Sequence, residues 1–532
     1  MKLREVDWLA LVTGVMCLAL GVVSYNALNP DGVSYLDLAT RLGVGDWSHF
    51  VQGYWSPLYP ALVAFGGALS GRAGPELIGV VHVVNTLIAL CGVSVIWWMA
   101  RTSGSAIFAR GAFAAFLVSS AEAPRLEAVT PDLLLVAFVS LIGGELLFFG
   151  GRRPVRLGLW MGLAFLAKTS MWPWLLASLV TWAIFHRSRA GLLLVGKAAT
   201  VCAVVMSLWL VPLSLKSGAF TFGSAARLNA CWYIRECDSR SPDTHRAEHK
   251  AYRPFDAGSS KGTIALYSGT PWTYLPWSDP TAWAAGLITA NRGTPTVWQN
   301  VVYTAKQFAL VVGVWMPHIW LGILIPVAWL MRRRGMVREL LREQRDALLV
   351  VALAVLGLLQ FIAVHVEPRL IAPFALLLTL GALGWLCGVS VGADHPTAEP
   401  KGSPRMVWLL SGIGLLAALP RAAVHAAGQW DTARQVAART AMIQNSDANA
   451  QSLRRGARRI AVIGEVFPLL TEAYRLGGQI EWQVFQPSAT TILTWPAEDQ
   501  QALVRWLASQ GATEAWLSKP GGTFSLLPLP PP

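Results

Sequence analysis

The sequence predicts an all-α polytopic membrane domain followed by a small α/β domain, and three observations carry that prediction. Only 14% of the 532 residues are charged and 54% are hydrophobic, where a soluble protein carries about 25% charged residues. The apolar residues collect in long runs, giving a mean hydropathy of +0.46, and about 20 such residues cross a bilayer as a helix. After residue 420 the pattern changes to short apolar strands alternating with amphipathic helical stretches, which favours a parallel or mixed sheet. These proportions exclude a disordered chain, a disulfide scaffold and a multidomain soluble enzyme. A net charge of +13 points to nucleic acid only when the basic residues share one soluble face. Here they are scattered between apolar runs, so no nucleic-acid partner is expected.

Eleven apolar runs follow one another at residues 8–25, 77–99, 107–120, 133–149, 157–167, 172–185, 192–213, 301–331, 347–364, 370–391 and 406–419. The basic gaps are Lys2/Arg4, Arg101/Arg110, Arg152/Arg153/Arg156, Arg187/Arg189, the stretch 332–345 and Lys401/Arg405. With a cytoplasmic N-terminus and eleven spans, every gap falls on the cytoplasmic side, as the positive-inside rule requires. Runs 157–167 and 172–185 are short for spans, but merging them would expel the 332–345 stretch, so parity favours a helical hairpin. The first run has the basic start of a signal peptide, yet no small-x-small site precedes Asn29-Pro30-Asp31-Gly32, and it reads as an uncleaved helix. The expected protein is a multi-pass component of a bacterial inner (cytoplasmic) membrane. Residues 1–420 form the transmembrane domain, with external loops at 26–74 and 216–300, and residues 421–532 form a periplasmic α/β domain.

In that tail, strands are expected at 459–465, 482–485 and 513–517. Helices are expected at 467–476, closed by Gly477-Gly478, and at 498–509, with a frayed Pro-rich end. Cys17, Cys91, Cys202 and Cys387 lie in apolar runs and read as core residues. Cys231 and Cys237 lie in the large external loop, where an oxidising compartment permits a bridge without requiring one.

The chemistry is expected on the outer face. Asp31 follows the first run directly, which holds its carboxylate at the lipid–water boundary unless it only caps the next helix. Residues 34–42 place Tyr35, Leu36, Leu38, Ala39 and Leu42 at helical spacing, an amphipathic helix lying in the interface. Residues 52–60, rich in aromatics and prolines, read as a second interfacial turn. Lys168 and Arg369 interrupt or border apolar runs, where an unpaired cation is costly and usually functional. The plain alternatives are snorkelling for Lys168, a salt bridge to Glu367 for Arg369, and helix capping for Asp132. Arg227, Asn229 and Trp277 in the large loop suit sugar and phosphate contacts or ordinary loop packing. His245-Arg-Ala-Glu248-His249 fits the His-x-x-Glu-His zinc pattern, but its polar flanks offer no buried helix. No P-loop, dinucleotide fingerprint or Gly-x-Ser-x-Gly elbow occurs.

Asp31 after the first run, Tyr35 four residues on, Gly45-Asp46, and the aromatic segment Pro57-Leu58-Tyr59-Pro60 together resemble the C-type glycosyltransferases (GT-C). These are polytopic enzymes that use a polyprenyl-phosphate sugar donor at the outer membrane face. The pattern is most like the lipid A aminoarabinose transferases and the protein O-mannosyltransferases. Asp132 before the fourth run, Lys168 at the hairpin tip and His365-Val-Glu367-Pro-Arg369 extend the resemblance over most of residues 1–390.

The resemblance implies Asp31 as general base of an inverting transfer, with Asp132 as a second catalytic acid residue. It implies Lys168, Arg369 and Arg227 on the donor phosphate, and Tyr35, Tyr54, Tyr59, His365, Glu367, Asn229 and Trp277 around the substrates. The acceptor is a lipid, a glycan or a protein. Two departures stand out. Residues 54–60 carry no basic residue where the aminoarabinose transferases have a Lys. Asp31 is flanked by Pro30 and Gly32, without the paired acid of metal-using members. A divalent metal ion is therefore left open, shared by Asp31 and Asp132 if the fold joins them. The alternatives are a transporter or flippase of lipid-linked sugars and a non-catalytic cell-envelope assembly protein. A transporter places ionisable groups at mid-membrane depth and is often built on inverted repeats. Here those groups sit at the outer ends of the runs, Glu145 excepted, and no internal repeat is visible.

Overall fold

The computed structural model describes residues 3–25, 27–122, 128–234, 252–257, 260–267, 271–283, 344–362, 366–389, 458–464, 466–485, 495–519 and 523–527, with isolated positions at 302, 304–306, 308, 309 and 529. The first apolar run is helix α1 (Leu3–Val23). The first loop holds α2 (Pro30–Gly43), the single turn α3 (Trp47–Phe50) and α4 (Leu58–Ser70). Then come α5 (Leu77–Ser103), α6 (Ala106–Glu122), α7 (Asp132–Phe149), α8 (Pro154–Ala167), α9 (Trp172–Phe185), α10 (Arg189–Ser217) and α11 (Ala225–Ile234). The later apolar runs supply α12 (Arg345–Ile362) and α13 (Pro368–Leu386). Most of run 301–331, all of run 406–419, Cys237, residues 245–249 and His365 lie outside the described residues.

Five helices among those described, at 5–23, 74–103, 132–149, 189–217 and 368–386, are long and apolar enough to cross a membrane. Helices α8 and α9 follow one another through one 3-10 turn at Thr169–Met171, with α8 packed on α7 and α10 and α9 on α12. At the centre of the bundle α13 lies against α6, α7 and α12, and its residues from Ile371 to Leu378 are all buried. Gly158 of α8 faces the Ala198 carbonyl of α10 so closely that no Cβ fits, the small-residue contact by which membrane helices approach. The cysteines divide: Cys17 and Cys202 are buried, whereas Cys91 is exposed on the outside of α5, where the bundle's apolar surface continues.

Described residues of the basic gaps are held in ion pairs at one end of the bundle. There Arg110 pairs with Glu5 at 2.5 Å, Arg156 with Glu145 at 2.8 Å and His186 with Asp346 at 3.3 Å. Glu145 is wholly buried, so it is an ion-paired core residue and does not snorkel. The opposite end carries the first loop. Helix α2 starts at Pro30, whose fixed φ suits a first helical position, and residues Gly32–Ala39 are buried on every side. This corrects the expected interfacial helix with one wet face: the large loop and the tail cover the side that would have met water. The run of apolar residues after Pro57 forms α4, a full helix where only a turn was expected.

The roof is a six-stranded mixed sheet in the order β1-β2-β4-β3-β5-β6. Its first hairpin, β1 (Tyr252–Ala257) and β2 (Ser260–Leu266), comes from the large loop. The tail provides β3 (Arg458–Ile463), helix α14 (Phe467–Arg475), β4 (Gly478–Phe485), helix α15 (Ala497–Ser509), β5 (Glu514–Lys519) and β6 (Thr523–Leu527). Strand β3 is parallel to both β4 and β5, while β2 joins β4 antiparallel through Thr263–Leu266. Strands and helices of the tail fall close to where the alternation predicted them. The sixth strand, not expected, stops at Leu527, where the Pro-rich end begins.

Candidate active site

Two loops bring two carboxylates to one place. Asn29 precedes α2, and instead of capping it its Oδ1 accepts from the Val129 N–H at 2.9 Å. A Cβ on Gly32 would lie 2.6 Å from Val129 Cβ, so only glycine allows this approach. The contact sets Asp31, in the first turn of α2, beside Asp132, the first residue of α7. Neither carboxylate caps its own helix. Asp31 Oδ2 accepts from Arg369 Nη1 at 2.6 Å, and Arg369 Nε donates to Glu367 Oε2 at 2.5 Å. Asp132 Oδ1 accepts from Lys168 Nζ at 2.5 Å. Lys168 is aimed by the turn between α8 and α9, which is tied to the first loop where Thr169 N donates to Ser56 Oγ at 2.8 Å.

Burial grades the cluster. The Asp132 side chain is 1% exposed and that of Asp31 17%, while Arg369 and Glu367 keep about 30%. Asp31 Oδ1 has no hydrogen bond among the described residues. Tyr35, one turn beyond Asp31, has its hydroxyl held well above the ordinary range, first by burial and then by the charges of Asp132 and Asp31. It stays protonated at neutral pH. Among the described residues, the cluster sets three carboxylates against two cations. Asp31 and Asp132 each meet a cation, and no group of three or more His, Cys, Asp or Glu suited to a metal occurs among the described residues.

An aromatic wall leads away from the acids. Tyr35 meets Trp55 at 5.0 Å and Tyr59 at 5.2 Å between ring centroids, both edge-on. Trp55 meets Tyr54 at 4.7 Å and Trp277 at 5.6 Å, and Trp277 lies 5.7 Å from Trp232. Tyr54 donates to Asn229 Oδ1 at 3.1 Å. Tyr59 is fully buried and donates to Asn85 Oδ1 at 2.7 Å, so it braces Tyr35 from inside the bundle. Arg227 is exposed on α11, and no contact among the described residues ties it to the ion pairs.

The sequence reading missed Asp37. This second carboxylate of α2 is 6% exposed and accepts from Thr273 N at 3.0 Å, Thr273 Oγ1 at 2.8 Å and Ser278 Oγ at 2.6 Å. Burial pushes its pKa from 3.8 up to about 6. The signal for it was present: an acid between Leu36 and Leu38, inside an apolar stripe.

A helical bundle with a carboxylate–cation cluster at one end, beneath a mixed sheet, defines a membrane protein of the GT-C fold class. The match is to crystal structures of ArnT, the lipid A aminoarabinose transferase, from Cupriavidus metallidurans. The apo structure superposes with a TM-score of 0.51 at 15% identity, covering 97% of this chain and 93% of that one. The structure bound to undecaprenyl phosphate gives 0.50 at 15% identity over 96% of each chain. At that identity the likeness is one of fold, and it shows the expected resemblance at that level. No family model and no curated protein matches the sequence significantly.

Proposed function

We propose that this protein is an inverting glycosyltransferase that moves a sugar from a polyprenyl-phosphate donor to an acceptor, with Asp31 as general base. The reaction is placed at the outer face of a bacterial inner membrane, under eleven spans with a cytoplasmic N-terminus and a periplasmic tail. The observation that carries the reading is the cluster itself: Asp31 on Arg369 at 2.6 Å, with Lys168 and Asp132 beside it. A relative in fold whose structure holds undecaprenyl phosphate supports a lipid phosphate as ligand.

In this reading the acceptor gives its proton to Asp31 Oδ1 as its lone pair attacks the anomeric carbon. The bond from that carbon to the phosphate oxygen breaks, and its electron pair leaves with the polyprenyl phosphate. Arg369 and Lys168 receive the phosphate charge, Arg369 through its planar fork. Because three carboxylates already share two cations, an arriving phosphate competes with Asp31 for Arg369. Release from that guanidinium frees both Asp31 oxygens for the acceptor as the donor seats. Tyr54, Trp277 and Trp232 offer aromatic faces to the sugar ring, with Asn229 and Glu367 as polar contacts, while His365 and Arg227 are assigned from the sequence pattern alone.

The test is Asp31→Asn in purified protein with polyprenyl-phosphate pentoses and hexoses and a range of acceptors. Transfer should fall by about 100-fold or more, as removal of a general base does. Transfer at the wild-type rate overturns the mechanism.

A further inference from the structure

Helix α2 carries two acids six residues apart, Asp31 half-buried and Asp37 buried, and they face different parts of the molecule. Asp31 turns to Arg369 of the bundle, whereas Asp37 turns outward to the turn Leu275–Ser278 of the large loop. That turn is held from the first loop by a set of hydrogen bonds. Asp37 takes Thr273 N, Thr273 Oγ1 and Ser278 Oγ. Ser34 Oγ and Trp55 Nε1 both donate to the Trp277 carbonyl, at 3.1 and 3.0 Å, and Gln52 Nε2 donates to the Ser278 carbonyl at 2.9 Å. The tail closes over the same place. Phe467 of α14 meets the Trp277 ring edge-on at 5.1 Å, and Tyr474 donates to the Gly74 carbonyl at 2.8 Å. The titratable and charged groups that face Asp37 are Arg41 on its own helix and Tyr474 from α14.

We propose that Asp37 is a positioning residue that fixes the Trp277 ring, and so shapes the platform on which the transferred sugar lies. The inference rests on the transferase reading for the sugar, and on geometry alone for the latch. A half-exposed loop tryptophan beside other aromatics has many rotamers and backbone positions open to it. Pinning the backbone on both sides of residue 277 removes that freedom before the substrate arrives, which is preorganisation. The platform sees the sugar and not the phosphate, so it distinguishes a loaded carrier lipid from a spent one.

The two acids of α2 then differ in what they need. Asp31 must accept a proton, and an amide there fails. Asp37 must only satisfy a backbone N–H and two hydroxyls. An asparagine does this, with Oδ1 accepting from Thr273 N and the Ser278 hydroxyl and Nδ2 donating to the Thr273 hydroxyl, which can turn to accept.

Hydrogen–deuterium exchange and kinetics test the proposal on full-length protein in nanodiscs. In Asp37→Ala, peptides spanning 271–278 should exchange faster, because the Thr273 amide loses its acceptor, while Asp37→Asn keeps wild-type protection. Transfer in Asp37→Ala should fall about 10- to 100-fold, the cost of roughly 1 Å of misplacement, through KM for the sugar-loaded donor, with the affinity for bare undecaprenyl phosphate unchanged. Trp277→Ala should show the same loss, and Asp37→Ala/Trp277→Ala should be no worse than either alone.

Unchanged exchange at 271–278 in Asp37→Ala overturns the latch. Faster exchange with full transfer, or additive losses in the double variant, overturns its role in positioning Trp277 for the reaction. If wild-type protein transfers no sugar from any donor, the transferase reading fails, and exchange alone still decides the latch.

Discussion

Replacing Lys168 with Met separates a structural ion pair from a functional cation. Asp132 is 1% exposed and its charge is met by Lys168 Nζ at 2.5 Å. Deleting the ammonium while keeping its stem leaves a buried carboxylate unpaired, which costs about 3–5 kcal/mol. Asp132 begins α7, and the helix N-terminus offsets roughly 1 kcal/mol of that. Lys168→Met should therefore lose about 2–4 kcal/mol. Lys168→Met/Asp132→Asn removes both charges and should lose only about 1 kcal/mol, one net hydrogen bond. Titration of mixed micelles with a denaturing detergent, followed by tryptophan fluorescence, measures each variant. The cycle of four proteins should show a coupling of about 2–3 kcal/mol. If transfer needs the cation, it stays low in the double variant although stability returns. A single variant within about 0.5 kcal/mol of wild type, or a double variant no more stable than the single, would refute the reasoning.

Further outcomes follow from the same geometry. Arg369→Lys keeps one charge but cannot bridge Asp31 and Glu367 together, and transfer should drop about 10- to 100-fold, the worth of one charged hydrogen bond. Tyr474→Phe removes the bond to the Gly74 carbonyl and should cost about 1 kcal/mol of stability, read in the same detergent titration. Asp37 gives a pH signature. Its folded pKa is raised from 3.8 to about 6, so the native state binds this proton more tightly than the unfolded chain does. The stability it contributes is fully present below about pH 4 and is lost as pH rises through about 6. Asp37→Asn should therefore gain on wild type by about 2 kcal/mol between pH 4 and pH 7; unfolding curves at both pH values check it, and parallel curves contradict it.

Local information made much of this legible. Helices α5, α7, α10 and α13 announce themselves as long apolar runs, and the βαβα alternation of the tail places β3, α14, β4, α15 and β5 within a few residues. Asp31, Asp132, Lys168 and Arg369 could be singled out because charge at the border of an apolar run is expensive. Pairing information was not local. Tyr252–Ala257 and Ser260–Leu266 read as polar loop because the hairpin they form joins the sheet only through β2 on β4, more than two hundred residues on, and the apolar face of β2 exists only in that register. Asp37 was hidden for the same reason: its partners Thr273 and Ser278 sit 236 and 241 residues away. Helix α4 was passed over because its prolines, Pro57 and Pro60, suggest a turn, although at the start of a helix proline is well placed.

The shared sheet also orders the protein's biogenesis. The β1–β2 hairpin is synthesised before the later helices and the whole tail. Until β4 arrives, β2 presents an open edge, and α2 lacks the cover of α14. Pairing at such sequence separation is slow to form, and a waiting edge strand is an invitation to pair with another chain. A chain stopped before residue 458 would thus hold its acids in place beneath an unfinished roof, prone to strand exchange with its neighbours, and quality control would meet it at the hairpin.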